Sequence, residues 1–337
     1  MGKSCKAGPQ CCAMLFIAVA VLALLAGCSG NKPSPAPLAY QGSIVDTHEH
    51  LQSTDQLDDM FAGMEANNIV SIWLMGRGDR FYKDTDRPEL ATLKGNNDLI
   101  LDLADKYPHR IEAFPRIRPR REQDPLKAVD DLVARGAAGI KLHFGSNPPK
   151  PGRPYASDEP YLGLYKHCET KGILVMIHLE EHAQPGRIDR IAAACPDLKL
   201  IVCHVGHIPE NPDLWDDLLT RHGNLYTEFS FGFEKTYADR AVKLSGHSAR
   251  WREVVLAHPG RFLYGTDMVI GPGSNRTGEW IEGRFRIYRY MLELGRFHDT
   301  LVSTKRTYEL DVEGLHLPQE VLRSIYWDNP RKLVAGF

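Results

Sequence analysis

Residues 44-IVDTHEHL-51 lead from two aliphatic residues into an acid, then set His48 and His50 one residue apart. In an extended strand, residues i and i+2 face the same side. The two imidazoles therefore end a buried strand side by side, as a chelate or as a polar rim, and the spacing alone does not choose between these. The stretch is more decisive about the fold. An open doubly wound sheet wants a glycine-rich phosphate loop after its first strand, and 46-DTHEHLQ-52 contains no glycine.

The rest of the chain repeats a strand-then-helix rhythm. Apolar runs read as strands over 43–48, 69–75, 110–117, 137–144, 173–179, 198–205, 224–231 and 261–269. Helical periodicity covers 54–67 (capped by Ser53 or Thr54), 96–106, 125–135 (opened by Pro125), 159–171, 186–195, 212–221 and 277–295. The run 69-IVSIWLM-75 is continuously apolar, as suits a parallel strand covered on both faces. Eight such units over about 250 residues predict a closed α/β barrel of the (β/α)8 TIM type, with the open doubly wound sheet as the alternative. No other internal repeat is visible. The segment 230–260 reads as a long loop able to cover the site, with Phe231, Phe233 and Trp251 as its own packing.

Composition is that of an ordinary globular domain: 337 residues, 43% hydrophobic, 25% charged, formal net charge −2. Neither sign dominates, so charge gives no support to a nucleic-acid partner.

The N-terminus reads as a processing signal. Lys3 and Lys6 precede the apolar run 14-MLFIAVAVLALLA-26, which is short for a membrane span and right for a signal core. It ends in 25-LAGC-28, which resembles the bacterial lipoprotein signal; a plain secretory signal or an anchor helix is the alternative. The resemblance implies that residues 1–27 are removed and that Cys28 carries lipid, giving stable anchoring where several acyl chains act together. Ser29 then points to the outer membrane of a bacterial envelope, with the protein facing the periplasm. Residues 28–42, with 31-NKPSPAPLAYQG-42, form a proline-rich tether, and the barrel occupies 43–337. Of the cysteines outside the signal, Cys168, Cys195 and Cys203 read as small buried hydrophobes, although a Cys195–Cys203 bridge is open.

In such barrels the active site lies at the C-terminal ends of the strands. His48 and His50 end strand one, His178 ends strand five in 173-ILVMIHL-179, His204 ends strand six in 200-LIVCHVGH-207, and Asp267 ends strand eight in 262-FLYGTDM-268. Each is a polar residue closing an apolar run, costly to bury without a partner. A divalent cation would satisfy all five, and neutral imidazoles with a carboxylate suit zinc.

This order of motifs, with 139-GIKLHF-144, 196-PDLKLIVCHVGH-207 and 326-YWDNPRKLV-334, resembles the amidohydrolase superfamily, in its amidohydrolase-related branch of hydrolases, lactonases and decarboxylases. The resemblance spans the mature domain and implies a deformed barrel around one or two divalent metals. It implies His48, His50, His178 and Asp267 as ligands of one ion, Asp267 also as the proton acceptor, and His204 as a hydrogen-bond partner of the water or oxyanion. Some members carboxylate a lysine on strand four to bridge a second metal. Lys141 stands there, but the branch text makes Lys141 and His143 substrate contacts or structural residues.

The loop 115-PRIRPRRE-122 holds four arginines, and Arg116 or Arg118 could grip an acidic substrate, as could Arg77 and Arg80; a solvated face is the alternative. The expected activity is hydrolysis of an amide, ester or lactone in a small molecule. A decarboxylase or lyase acting on a small carboxylic acid, and a non-catalytic binding lipoprotein, are the alternatives.

Overall fold

The computed structural model describes residue 2 and residues 37–77, 89, 92–144, 154–179, 185–232, 234–271, 276–302 and 306–334. The signal run and Cys28 lie outside the described residues, as do Arg80 and Phe233.

Eight strands stand where the apolar runs predict them: β1 (Ile44–Leu51), β2 (Ile69–Met75), β3 (Ile111–Phe114), β4 (Gly139–Phe144), β5 (Leu174–Leu179), β6 (Leu200–Val202), β7 (Leu225–Glu228) and β8 (Phe262–Leu263). A short β9 (Met268–Ile270) resumes beyond β8. The strands pair parallel in two sheets, β3-β2-β1-β9 and β4-β5-β6-β7-β8. The sheets meet at two seams. At one, Arg116 bridges Lys141, with Lys141 N donating to Pro115 O (3.0 Å) and Ile117 N to Lys141 O (3.2 Å). At the other, Thr47 N donates to Tyr264 O (2.9 Å) and Asp267 N to His48 O (2.7 Å). The two seams close a (β/α)8 barrel of the TIM type.

Helices follow the strands where caps announce them: α1 (Leu57–Ala66), α2 (Leu93–Lys106), α3 (Pro125–Ala134), α4 (Tyr161–Lys171), α5 (Pro185–Ala194) and α6 (Pro212–Arg221). Thr92 accepts from Gly95 N, Asp124 from Leu126 N and Lys127 N, and Asn211 from Leu214 N, so orphan amides of three helix starts are satisfied by side chains. Ser53 caps a single 3-10 turn, Thr54–Gln56, ahead of α1, so the helix starts later than its periodicity suggests.

Three elements depart from the sequence expectations. The segment 230–260 is no long loop: it holds α7 (Glu234–Ser245) and α8 (Ser248–Ala257). Trp251 of α8 is fully buried, donates through Nε1 to Pro209 O (2.6 Å) and packs edge-on to Phe229. Its aromatics thus anchor a helical layer, as their own packing. After α9 (Gly278–Glu293), capped by Thr277, comes an antiparallel hairpin, β10 (Phe297–Val302) and β11 (Thr307–Val312), that the rhythm did not foretell. Strand eight breaks at residues 264–267, and Asp267 sits in the break with φ 54°.

Alternation along the strands splits the core in two. Val45, Trp73, Met75, Phe114, Met176 and Ile201 belong to one cluster, with the Trp73 and Phe114 rings stacked 4.8 Å apart. Their outward-facing neighbours, such as Ile44, Ile72, Leu74 and Ile177, join the larger cluster with the helices. Cys168, Cys195 and Cys203 are all buried and free, so no Cys195–Cys203 bridge forms.

Where the chain enters the barrel, before β1, it is fastened by a buried ion pair. Arg289 donates through Nε to Glu293 Oε1 (2.8 Å) and through its terminal nitrogens to Asn67 O (3.2 Å) and Tyr40 O (2.5 Å). Glu293 in turn accepts from Tyr40 N (2.9 Å) and Tyr326 Oη (3.0 Å). The pair thereby ties the entry segment to α9, the end of α1 and the C-terminal turns.

Candidate active site

All eight residues of β1 are buried, the polar ones included. Each polar side chain finds a partner from another strand end, although Glu49 Oε2 is itself left without a hydrogen bond. Asp46 accepts from His48 N (2.9 Å) and Thr266 Oγ1 (3.0 Å). Burial pushes its carboxyl up to about 7, and burial together with Asp46 raises Glu49 as well.

The ring nitrogens of three histidines are oriented by oxygen acceptors. His48 Nδ1 lies 2.9 Å from Glu228 Oε1, His50 Nδ1 lies 3.0 Å from Met75 O, and His204 Nδ1 lies 2.7 Å from Ser230 O. A carbonyl or carboxylate oxygen can only accept, so each Nδ1 carries the proton. In a neutral ring Nε2 then carries the lone pair; at His48, burial and Lys141 oppose a second proton, but Asp267 and Cys203 outweigh them and push the ring up to about 10. All three Nε2 atoms point toward Asp267: His50 at 3.1 Å and His48 at 3.3 Å from Oδ1, and His204 at 3.9 Å from Oδ2.

For His50 this is an electrostatic conflict. A lone pair faces a carboxylate oxygen at 3.1 Å, which is stable only with a proton or a cation between them. Burial opposes the proton, pushing His50 down to about 3. Burial would raise Asp267 too, but the charges of His48 and Arg77 outweigh it and hold that carboxyl far below the usual range. A divalent ion resolves the conflict. Ligand bonds of about 2.0–2.1 Å in a tetrahedron put neighbouring donor atoms about 3.3 Å apart, so His48, His50 and Asp267 fit one as they stand.

His178 takes another place than the four-ligand set expects. Its Nδ1 is 2.9 Å from His204 Nε2, its Nε2 is 3.3 Å from His207 Nε2, and its ring stacks on His143 at 4.2 Å. Among the described residues three groupings could hold a cation: His48, His50 and Asp267; His178, His204 and His207; and His48, Cys203, His204 and Glu228. His178 lies against His204, whose Nε2 faces Asp267. The cause is backbone: β6 ends at Val202, and His204, Val205 and His207 turn left-handed at φ 61°, 43° and 61°, which carries both rings toward His178. Burial lowers His178 and His204 well below the ordinary imidazole range, with Lys141 contributing to the first and His207 to the second.

Lys141 is 2% exposed, with Nζ 3.2 Å from His48 Nε2 and 2.8 Å from Cys203 Sγ. It lies beneath the mouth, beside a ring nitrogen and a sulfur rather than the acid foreseen for a structural lysine. His143 is exposed at the strand end. Arg116 is fixed through its backbone, its N donating to Asn97 Oδ1 (3.0 Å) and its O accepting from Asn97 Nδ2 (2.8 Å). Arg77 follows β2 and exerts its charge on both His50 and Asp267.

Sequence reasoning missed Glu228, Ser230, His207 and Gly232. Glu228 obeys the rule that singled out the others, a polar residue closing an apolar run in 224-NLYTEFSF-231. Gly232 carries a packing constraint with no such signal. It has φ 71°, and a Cβ there would lie 2.6 Å from Asp267 Oδ2. Gly232→Ala is expected to displace the carboxylate and cut turnover by about 100-fold, the cost of a displacement of about 1 Å at a reacting group. A kinetic comparison with the parent protein checks it.

The depressed His50 has a stability consequence. The unfolded chain takes up its proton near pH 6.5, the folded protein only near 3. This contribution is present above 6.5 and is lost as pH falls, by about 2 kcal/mol between pH 7 and 5. Urea denaturation of chelator-treated protein at the two pH values should show the loss, and His50→Gln should flatten it.

A parallel eight-stranded barrel with ionisable side chains gathered at its C-terminal strand ends is the architecture of TIM-barrel enzymes. This chain belongs to one family of them: the family model described as amidohydrolase matches residues 46–335. Among solved structures it is similar to an uncharacterized TIM-barrel protein from Bordetella bronchiseptica, with TM-score 0.58 and 16% identity over 86% of this chain and 98% of that one. It is also similar to a "probable 2-pyrone-4,6-dicarboxylic acid hydrolase" from Acinetobacter baumannii with citric acid bound (TM-score 0.54, 14% identity, 86% and 98% covered). A third is 5-carboxyvanillate decarboxylase from Sphingomonas paucimobilis (TM-score 0.51, 12% identity, 87% and 98% covered). At such identities the likeness is one of fold. No curated protein matches the chain.

Proposed function

We propose that the protein is a metal-dependent hydrolase that uses one divalent ion, zinc by the chemistry of the donors, to cleave an ester, lactone or amide bond in a small acidic molecule. The observation that carries this is the bare His50 Nε2 facing the Asp267 carboxylate at 3.1 Å. His48, His50 and Asp267 would hold the ion, leaving the open position a hydrolytic site needs. When bound, such an ion lowers the pKa of water from about 15.7 to near 7 and polarises a carbonyl.

Asp267, kept ionised, accepts a proton from water and returns it to the leaving group. His204, its Nδ1 proton committed to Ser230 O, turns Nε2 toward Asp267, 3.9 Å from Oδ2. His178 donates to that Nε2 and fixes the ring. Arg77 supports an acidic substrate, since its charge acts at the mouth; the dicarboxylic acid in the name of one structural neighbour agrees with that chemistry. Lys141, turned to His48 and Cys203, serves the site from beneath, and we assign it no bridging role.

The test is metal quantitation on the purified full-length protein, followed by a screen of esters, lactones, amides and aromatic acids. One zinc per chain and hydrolysis of an acidic ester or lactone are expected. Release of carbon dioxide without hydrolysis would replace this reading with decarboxylation. Absence of any bound or bindable divalent ion would end both.

We also propose a lipid-anchored envelope location, supported by the 25-LAGC-28 signature. Cys28→Ser should move the chain from the membrane fraction to the soluble fraction.

A further inference from the structure

Glu228 closes β7, is fully buried, and receives hydrogen bonds from three directions. Its Oε1 accepts from His48 Nδ1 (2.9 Å), from His204 N (3.1 Å) and from Ser230 Oγ (2.8 Å), and its Oε2 accepts from Ser230 N. Four donors thus converge on two oxygens. One donor belongs to β1, one to the left-handed turn after β6, and two to the segment after β7. Neither of the side chain's oxygens can be replaced by a donor without setting one N–H against another.

We propose that Glu228 is a positioning residue that sets the tautomer of His48 and thereby the cation affinity of the site. The inference rests on the metal reading above. His48 can offer Nε2 as a lone pair only while its proton stays on Nδ1, and the Glu228 carboxylate is what keeps it there. The same carboxylate holds the His204 amide, so the turn that carries His204 is fixed by the group that orients His48. In Glu228→Gln the shape is kept but the fork fails. One amide orientation sets an N–H against Ser230 N–H. The other faces His48 Nδ1 with a donor and drives the ring proton to Nε2, where it blocks the lone pair.

Two measurements on the full-length protein test this. In metal-free protein labelled with 15N-histidine, two-bond proton–nitrogen correlations recorded at a pH that leaves His48 neutral should show it protonated on Nδ1 in the parent and shifted toward Nε2 in E228Q. In competition with a chromophoric chelator, E228Q should bind Zn2+ about 10- to 100-fold more weakly. Should E228Q not fold, E228D is read instead: it keeps the charge, is one methylene too short to span the four donors, and should also lose affinity. Parent-like Zn2+ affinity with an unchanged His48 tautomer would overturn the proposal. A parent protein that binds no Zn2+ while E228Q still shifts the tautomer would uphold the positioning of His48 and reject the metal reading instead.

Discussion

Asp267→Asn is expected to lower turnover by about 1000-fold or more while leaving the barrel folded. The amide keeps an oxygen for the cation but cannot take a proton from water, and a positioned general base contributes about 100- to 10,000-fold. The effect should sit in kcat rather than in KM, because the lost interaction belongs to the transition state. The carboxyl's far-lowered pKa adds a second signature. As pH falls, the parent should lose activity by protonation and cation loss at histidines, not by titration of Asp267. Steady-state kinetics of parent and variant across pH 5 to 9 check both. A variant with parent-like kcat would remove Asp267 from the chemistry.

Arg289→Ala should be the most destabilising single change away from the mouth, by about 3–5 kcal/mol, because it leaves the Glu293 carboxylate buried without its cation. Glu293 is 2% exposed and Arg289 3%, so solvent cannot replace the lost partner. Three backbone or hydroxyl contacts of the entry segment and of Tyr326 depend on the pair. Removing both charges, in Arg289→Ala with Glu293→Ala, should cost less than the sum of the single changes, since neither then strands the other. Urea denaturation of the four proteins measures this coupling. Turnover per folded molecule should be unchanged, as the pair lies at the opposite end of the barrel from Asp267.

The strands were legible because each is an apolar run long enough to be buried on both faces, and their polar last residues could be read as one site once closure was assumed. That reasoning named His48, His50, His204 and Asp267, and the three rings stand within 3.9 Å of the Asp267 carboxylate. His178 stands beside His204 and His207, a neighbourhood that straight strand ends do not foretell. The left-handed turn over His204–His207 swings two rings across the mouth, and no residue type in 203-CHVGH-207 except Gly206 announces such a turn. Helices α7 and α8 were hidden by their charge, which resembles a solvated loop until Tyr237 and Trp251 are seen buried within them. The hairpin lies after the eighth unit, where the barrel rhythm has nothing more to say.

The clasp at Tyr40 fixes more than stability. It lies ahead of β1, on the floor of the cylinder, whereas Asp267 and its histidines ring the opposite rim. A strand so fixed at its start sets which face His48 and His50 present; a slip of one residue would turn both rings away from Asp267.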